Sequence, residues 1–358
     1  MISLNSLVSV LAVLETARAV RFLGRVNPAT KELTWPGTGV SFTFSGTSAS
    51  IGLAAVTGNN SAELIIDGGE PTVISNVAGI TISTPAGLAA GNHTVVFRKN
   101  SEALFGSIFV GDITTDGTLG PDVPPSNRKI EVIGDSITVG YGIGGLLPCV
   151  NTAALEDVSK TYSVLAANSL KADYSIVAWS GRGIIRNYVQ ATPDTSPTAP
   201  QLYTRYGAND ADGSYTFPSS WTPEAVVINL GTNDFSYLGS APNGSTVALR
   251  PRLDAAAYTA AMVKFVQSIE VHYPNATFFL LTSPMLNDGY PSTEDAQHTT
   301  QTNALEAAVT QLNNGTKAYL VDWPAQGSEV GCDYHPTPAT NAAEAKVLAS
   351  AISAALGW

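Results

Sequence analysis

Two folded units in series are predicted: an antiparallel β-sandwich or jelly roll, then an α/β unit built on a parallel sheet with helices on both faces. Three observations predict this. Up to about Ile113, apolar residues recur with a period of two and turn residues break them into short runs. From Arg128 onward, short apolar runs alternate with longer segments of helical period. Between the two lies a stretch, 114–127, rich in Asp, Gly and Pro, the composition of a connection. A chain of 358 residues also fits two such units better than one core.

The chain starts with a targeting signal. Residues 7–14 form a short apolar run, and Ala17-Arg18-Ala19 is an A-x-A cleavage pattern, so residues 1–19 read as a secretory signal peptide rather than a buried first helix. The run is too short to span a bilayer. The sandwich then occupies 20–113. Val40, Phe42 and Phe44 alternate with Ser41 and Thr43, and Ile51 and Leu53 continue the period. Further strand-like runs fall at 64–67, 73–75, 80–83 and 94–97. They are separated by Gly46-Thr47, Gly58-Asn59-Asn60, Asp67-Gly68-Gly69 and Gly91-Asn92.

In the second unit, 128–358, a buried-type strand at 129–133 ends in Gly134-Asp135-Ser136. A helix is expected at 160–170 and a strand at 174–179. Another strand, at 225–230, ends in Gly231-Thr232-Asn233-Asp234. In a helix at 254–272, Tyr258, Met262, Phe265, Val266 and Ile269 share one face. A strand at 277–282, a helix at 294–312, a strand at 318–321 and an Ala-rich helix at 338–356 complete the unit. Parallel sheets of this kind bind ligands beyond the carboxyl ends of their strands, where the polar motifs of this chain fall.

Composition narrows the partners. Only 13% of residues are charged, Gly and Pro number 32 and 21, and the formal net charge is −11. Phosphate contacts need clustered Lys and Arg, so nucleic acid and anionic membranes are excluded as partners. Five Asn-x-Ser/Thr sequons, at Asn59, Asn92, Asn243, Asn275 and Asn314, together with the signal peptide point to a glycosylated, secreted, extracellular protein. The chain is expected to act as a monomer.

The motifs carry chemistry as a set. A Ser closing a strand, as Ser136 does, is either a helix N-cap or a nucleophile projecting from the sheet edge. Gly181, in Trp179-Ser180-Gly181-Arg182-Gly183, lets a backbone N–H approach an oxyanion, and Asn233 can offer a side-chain N–H to the same point. Of four histidines, His93 lies in a sequon of the strand unit, His272 at a helix end and His298 in a polar helix. His335, in Gly331-Cys332-Asp333-Tyr334-His335-Pro336, is the candidate general base. No cluster has metal-ligand spacing, and no cofactor is expected.

In that order, Gly-Asp-Ser, the Gly turn, Gly-x-Asn-Asp and a late Asp/His pair resemble the four sequence blocks of the SGNH (GDSL-type) hydrolases. The extended motif of residues 134–142, the block 178–183 and the His block 331–336 more specifically resemble carbohydrate esterase family 2. Val20-Arg21-Phe22-Leu23-Gly24-Arg25 and Trp35-Pro36-Gly37-Thr38-Gly39 look like the opening of that family's N-terminal jelly roll. The resemblance implies an SGNH-hydrolase (flavodoxin-like) fold and a serine esterase that removes O-acetyl groups from polysaccharides or oligosaccharides such as acetylated xylan or glucomannan. Its acetyl-enzyme would form on Ser136, with His335 as base and an oxyanion hole of Ser136, Gly181 and Asn233. A lipid or aryl esterase on the same scaffold, and a carbohydrate-binding protein with little catalysis, are the rival readings.

In the wider group two residues separate the Asp from the His; here Asp333 stands two positions before His335. Either the Asp333 carboxylate orients His335 as a third triad member, or Asp333 caps the loop and the Tyr334 carbonyl holds the imidazole. Tyr141, Trp179, Trp323 and Tyr334 flank the motifs as sugar-stacking candidates, with core packing as the alternative for the two tryptophans. If the nucleophile and His blocks meet, Cys149 and Cys332 are neighbours, and a disulfide between them is expected.

Overall fold

The computed structural model describes residues 20–358 except 122 and 242, so the expected signal peptide lies outside the described residues. The N-terminal unit is built from ten strands: β1 (Val20–Leu23), β2 (Glu32–Leu33), β3 (Gly39–Gly46), β4 (Ala49–Gly58), β5 (Ala62–Ile66), β6 (Thr72–Ile74), β7 (Thr81–Ser83), β8 (Gly91–Lys99), β9 (Gly106–Thr115) and β10 (Thr118–Leu119). One sheet runs β1-β3-β8-β5-β6 with β10 also on β3; the other runs β2-β9-β4-β7. Alternation decides which residues face the interior. Val40, Phe42, Phe44, Ile51, Leu53, Val95, Phe97, Ile108 and Val110 pack between the two sheets as one core. Strand pairing extends into the stretch expected to be connection: β9 runs on to Thr115, and Thr118–Leu119 pairs with Ser45 and Phe44 on the β3 edge beyond β1. Two residues carry no readable period, which is why sequence alone gives only a loop there.

The C-terminal unit centres on a five-stranded sheet: β11 (Lys129–Gly134), β12 (Asp173–Ala178), β13 (Ala225–Asn229), β16 (Thr277–Leu281) and β17 (Ala318–Val321), in the order β12-β11-β13-β16-β17. Every pairing in it is parallel. The helices are α1 (Ser136–Val139), α2 (Tyr162–Ser169), α3 (Ala199–Leu202), α4 (Thr232–Phe235), α5 (Ala255–Glu270), α6 (Gln297–Leu312) and α7 (Pro338–Leu356). The predicted face of α5 packs with Leu305 and Leu312 of α6 against Val226, Ile228, Phe278 and Leu280. On the other face, Val164 of α2 and Leu348 and Ile352 of α7 cover Val132, Val227, Phe279 and Leu281. Both faces are thus dry, which explains the continuous apolar runs of these strands.

Helix ends follow local chemistry. Asp254 caps α5 by accepting from the Ala256 N–H at 3.0 Å, and Thr337 with Pro338 starts α7. α6 begins three residues later than expected. Asp295 is committed outside the helix, accepting from the Tyr237 hydroxyl and pairing with Arg252 at 2.7 Å, and Ala296 is left-handed. A small hairpin, β14 (Leu238–Ser240) with β15 (Thr246–Ala248), adds to what the sequence predicts.

The two units share a core. Trp35 of the sandwich is fully buried among residues of the α/β unit, and its indole N–H donates to the Tyr206 carbonyl at 2.7 Å. Arg25 reaches across to Glu131 on β11 at 2.5 Å, with its guanidinium over the Tyr215 ring at 3.7 Å. Trp221 donates to the second Glu131 oxygen at 2.6 Å. The cost of burying this ion pair is offset by a donor on each Glu131 oxygen and by acceptors for both terminal nitrogens of Arg25, although Arg25 Nε has no partner among the described residues.

Candidate active site

In the sheet order, β11 lies between β12 and β13, so the chain steps from β11 to β12 on one side and then crosses back past β11 to β13 on the other. Ligands bind at such a switch point. Ser136 follows β11, Gly181 follows β12 and Asn233 follows β13, so the three motifs gather there. Asp135 caps α1 through its Oδ1, which accepts from the Ile137 N–H at 3.0 Å and fixes the turn that presents Ser136.

His335 Nε2 lies 2.8 Å from Ser136 Oγ, across 199 positions of sequence. Its Nδ1 lies 3.2 Å from the Cys332 carbonyl and 3.1 Å from the Asp333 carbonyl. Carbonyls only accept, so Nδ1 carries the proton of the neutral ring and Nε2 presents its lone pair to the serine hydroxyl. Burial pushes the imidazole down to about 4, against those two carbonyl contacts, so the ring is a free base at neutral pH.

The Asp333 carboxylate does not orient His335. It accepts from the Tyr141 hydroxyl at 2.8 Å instead. The reason is the backbone: Asp333 and Tyr334 are both left-handed, with φ of 49° and 66°. This tight turn brings successive carbonyls, not the side chain, onto Nδ1. Nor is the carbonyl that of Tyr334, the other expectation; that group accepts from Gln326 Nε2.

The histidine loop is bound to the nucleophile loop. Cys149 and Cys332 form a disulfide. Cys332 N–H donates to the Gly142 carbonyl at 3.3 Å and Asp333 N–H to the Cys149 carbonyl at 3.2 Å. At Gly142, with φ +61°, a Cβ would fall 2.5 Å from Cys332 Cβ, so only glycine admits this contact.

Among the described residues the backbone N–H groups of Ser136 and Gly181 have no internal partner. Gly181 has φ +79°, and its turn is held by the Tyr188 N–H donating to its carbonyl at 2.7 Å. Asn233 departs from expectation. Its amide nitrogen donates to Asp135 Oδ2 at 3.0 Å and to the Arg182 carbonyl at 2.8 Å, so both N–H bonds are committed. It ties the three loops together rather than offering a free donor. Asp234, buried beside it, accepts from the N–H groups of Ile184, Ile185 and Arg186 at 2.7–3.1 Å. Burial pushes the Asp135 carboxyl up to about 7 against its N–H donor, and the neighbouring Asp234 charge adds to that rise.

The four aromatic candidates separate. Tyr334 is 64% exposed beside the dyad. Tyr141 stacks on the His335 ring, centroids 4.2 Å apart, so its face is spent on the imidazole. Trp179 is half-buried against the core with Arg182 over its ring at 5.1 Å. Trp323 is corrected: it is fully buried in the core, edge-on to Tyr162 at 4.7 Å, and unreachable by a sugar.

Comparison with known proteins bears on this geometry. Residues 22–124 match the model of the carbohydrate esterase 2 N-terminal domain, and residues 132–343 match the GDSL-like lipase/acylhydrolase family. A carbohydrate esterase family 2 enzyme with a carbohydrate binding domain, from Corynascus thermopiles (Myceliophthora fergusii), is 67% identical and superposes with a TM-score of 0.90, covering 95% of this chain and 100% of its own. The chain belongs to carbohydrate esterase family 2. An acetylxylan esterase / glucomannan deacetylase of Cellvibrio japonicus is 31% identical over 87% of this chain and 82% of its own length. The cellulase/esterase CelE of Acetivibrio thermocellus is also 31% identical, over 93% of this chain, which spans only 38% of that protein. A family two carbohydrate esterase from Clostridium thermocellum, solved with cellohexaose, is 29% identical with a TM-score of 0.82, covering 95% and 99% of the two chains.

Several residues of this family 2 site escape the sequence reading. Tyr188, 51% exposed, and Ile185, 39% exposed, stand on the loop after Gly181. Asn151 accepts from the Gly142 N–H at 2.8 Å. No motif marks them; the Tyr188 N–H is bound to the Gly181 turn and Asn151 to the nucleophile loop. All five sequon asparagines are exposed.

Proposed function

We propose that this chain is a secreted carbohydrate O-acetyl esterase that deacetylates plant cell-wall polysaccharides such as xylan or glucomannan through an acetyl-enzyme. The observation that carries the reading is the 2.8 Å contact between His335 Nε2 and Ser136 Oγ, with Nδ1 held by two carbonyls. His335 Nε2 takes the Ser136 proton as Oγ attacks the acetyl carbon. The N–H groups of Ser136 and Gly181 receive the oxyanion, each such donor being worth about 10²–10³ in rate. The imidazolium then protonates the departing sugar oxygen, and water releases acetate by the same steps in reverse. The name of the Cellvibrio relative supports the acetyl substrates, and the exposed ring of Tyr334 supports a sugar beside the dyad. Acetate release from acetylated xylan and glucomannan, measured beside long-chain acyl esters, tests it; turnover of the long-chain esters alone contradicts it.

Two outcomes follow from the way the imidazole is held. Asp333→Asn keeps turnover within about tenfold, because Asn still accepts from Tyr141, whereas loss of a true triad carboxylate costs about 10⁴. A drop of that larger size restores Asp333 to the triad. The acid limb of kcat/KM reports the free-enzyme base. Burial disfavours the imidazolium and places His335 at about 4, so the neutral base survives well below the ordinary 6.5 and activity holds as pH falls from 7 to 5. An acid limb at 6.5 or above rejects the desolvated base.

A further inference from the structure

The last residue of β8 and the turn that follows it, residues 99–102, are buried where the sandwich unit meets the α/β unit. The last residue of the turn reaches the active site. Glu102 Oε2 accepts from the Ser180 N–H at 2.8 Å, and Ser180 immediately precedes Gly181. Glu102 itself is gripped: its N–H donates to Glu156 Oε1, and its carbonyl accepts from the buried Lys99 ammonium at 2.9 Å. Glu156 Oε2 accepts from Asn151 Nδ2 at 2.7 Å, Asn151 Oδ1 accepts from the Gly142 N–H at 2.8 Å, and the Gly142 carbonyl accepts from Cys332 of the histidine loop. One hydrogen-bonded chain therefore joins a residue of the sandwich to the Gly181 turn on one side and the His335 loop on the other.

We infer that Glu102 is a positioning residue for the oxyanion turn, so that the jelly roll completes the active site instead of merely packing beside it. This rests on the proposed role of the Gly181 N–H. A part-buried peptide N–H at Ser180 without an acceptor turns away or collects water, and the next N–H, that of Gly181, turns with it. The second carboxylate oxygen, Oε1, is buried without a partner. A side chain kept only for packing has no need of that cost, which apolar residues of the same volume avoid. Burial raises both Glu102 and Glu156 above the ordinary carboxylate range.

The test compares Glu102→Met, which keeps volume but removes the acceptor, with Glu102→Gln, which keeps an acceptor oxygen, using 4-nitrophenyl acetate. Rates are taken per site titrated by a 4-nitrophenyl phosphonate, so that only folded molecules count. Misplacing a reacting group by about 1 Å costs up to about 10²-fold, so kcat of Glu102→Met falls by about 10–100-fold with KM nearly unchanged, and Glu102→Gln returns to within about threefold of wild type. If Glu102→Met yields no folded protein, Glu102→Asp, whose carboxylate stops one methylene short, decides with a kcat loss of about tenfold or more. Wild-type kcat per site in the Met or Asp variant, or failure of Gln to restore it, overturns the inference. Ser136→Ala, run in parallel, separates the two ideas: an inactive Ser136→Ala beside a fully active Glu102 variant removes only the positioning role, and an active Ser136→Ala removes the esterase reading beneath it.

Discussion

Ser136→Ala and His335→Ala each lower acetate release by about 10⁴–10⁶-fold, and the double variant is no worse than either single one. In the proposed mechanism the nucleophile and base act on one proton. Without Nε2 at 2.8 Å the hydroxyl stays a weak nucleophile, and without Oγ the imidazole has nothing to activate. What remains is the rate given by the N–H groups and by substrate binding alone. Folding is preserved in Ser136→Ala, because among the described residues the only side-chain bond lost is the one to His335, and circular dichroism checks this. A single variant that keeps more than a few per cent of wild-type turnover, or a double variant that multiplies the two losses, removes the dyad from the mechanism.

Breaking the Cys149–Cys332 bond by Cys149→Ser is the other large effect, on stability and on rate together. The bond joins residues 183 apart, for which chain entropy gives at most about 5 kcal/mol. It also holds the loop whose carbonyls, at Cys332 and Asp333, set the tautomer of His335. The denaturation midpoint of Cys149→Ser therefore falls by the equivalent of several kcal/mol. At temperatures where the variant is folded, its turnover falls by at least about tenfold, since sub-ångström placement of the base is lost. The denatured, unreduced wild type titrates no free thiol. An unchanged midpoint with unchanged turnover contradicts a structural and catalytic role for the bond.

The sequence carries the architecture further than it carries the site. Strand periods in 40–53 and helix periods in 254–272 are imposed by burial on one face, and burial survives in the structure as the sandwich core and as the α5 seam. Ser136 is legible because it closes a strand, and His335 and the cysteine pair because they stand in loops bounded by Gly and Pro. The orienting group of His335 is not legible in that way. It is a backbone carbonyl, and no residue type announces one; the left-handed pair at Asp333 and Tyr334 that aims it is a conformation, not a composition. Asn233 fails as a free donor because its partners, Asp135 and the Arg182 carbonyl, come from two other loops. Trp323 looks like a cleft aromatic in sequence because it flanks the His block, yet β17 carries it straight into the apolar face beneath α2 and α7. Glu102 lies more than thirty positions before the first catalytic motif and in the other unit, beyond the reach of any local pattern.

In the proposed mechanism Ser136 Oγ, activated by His335, becomes covalently acylated. Incubation with a 4-nitrophenyl phosphonate followed by peptide mass mapping tests this most directly. One adduct per chain, on the peptide that contains Ser136 and absent when His335 is alanine, is the predicted result; an adduct on another residue, or complete inertness of a fully active enzyme, contradicts it.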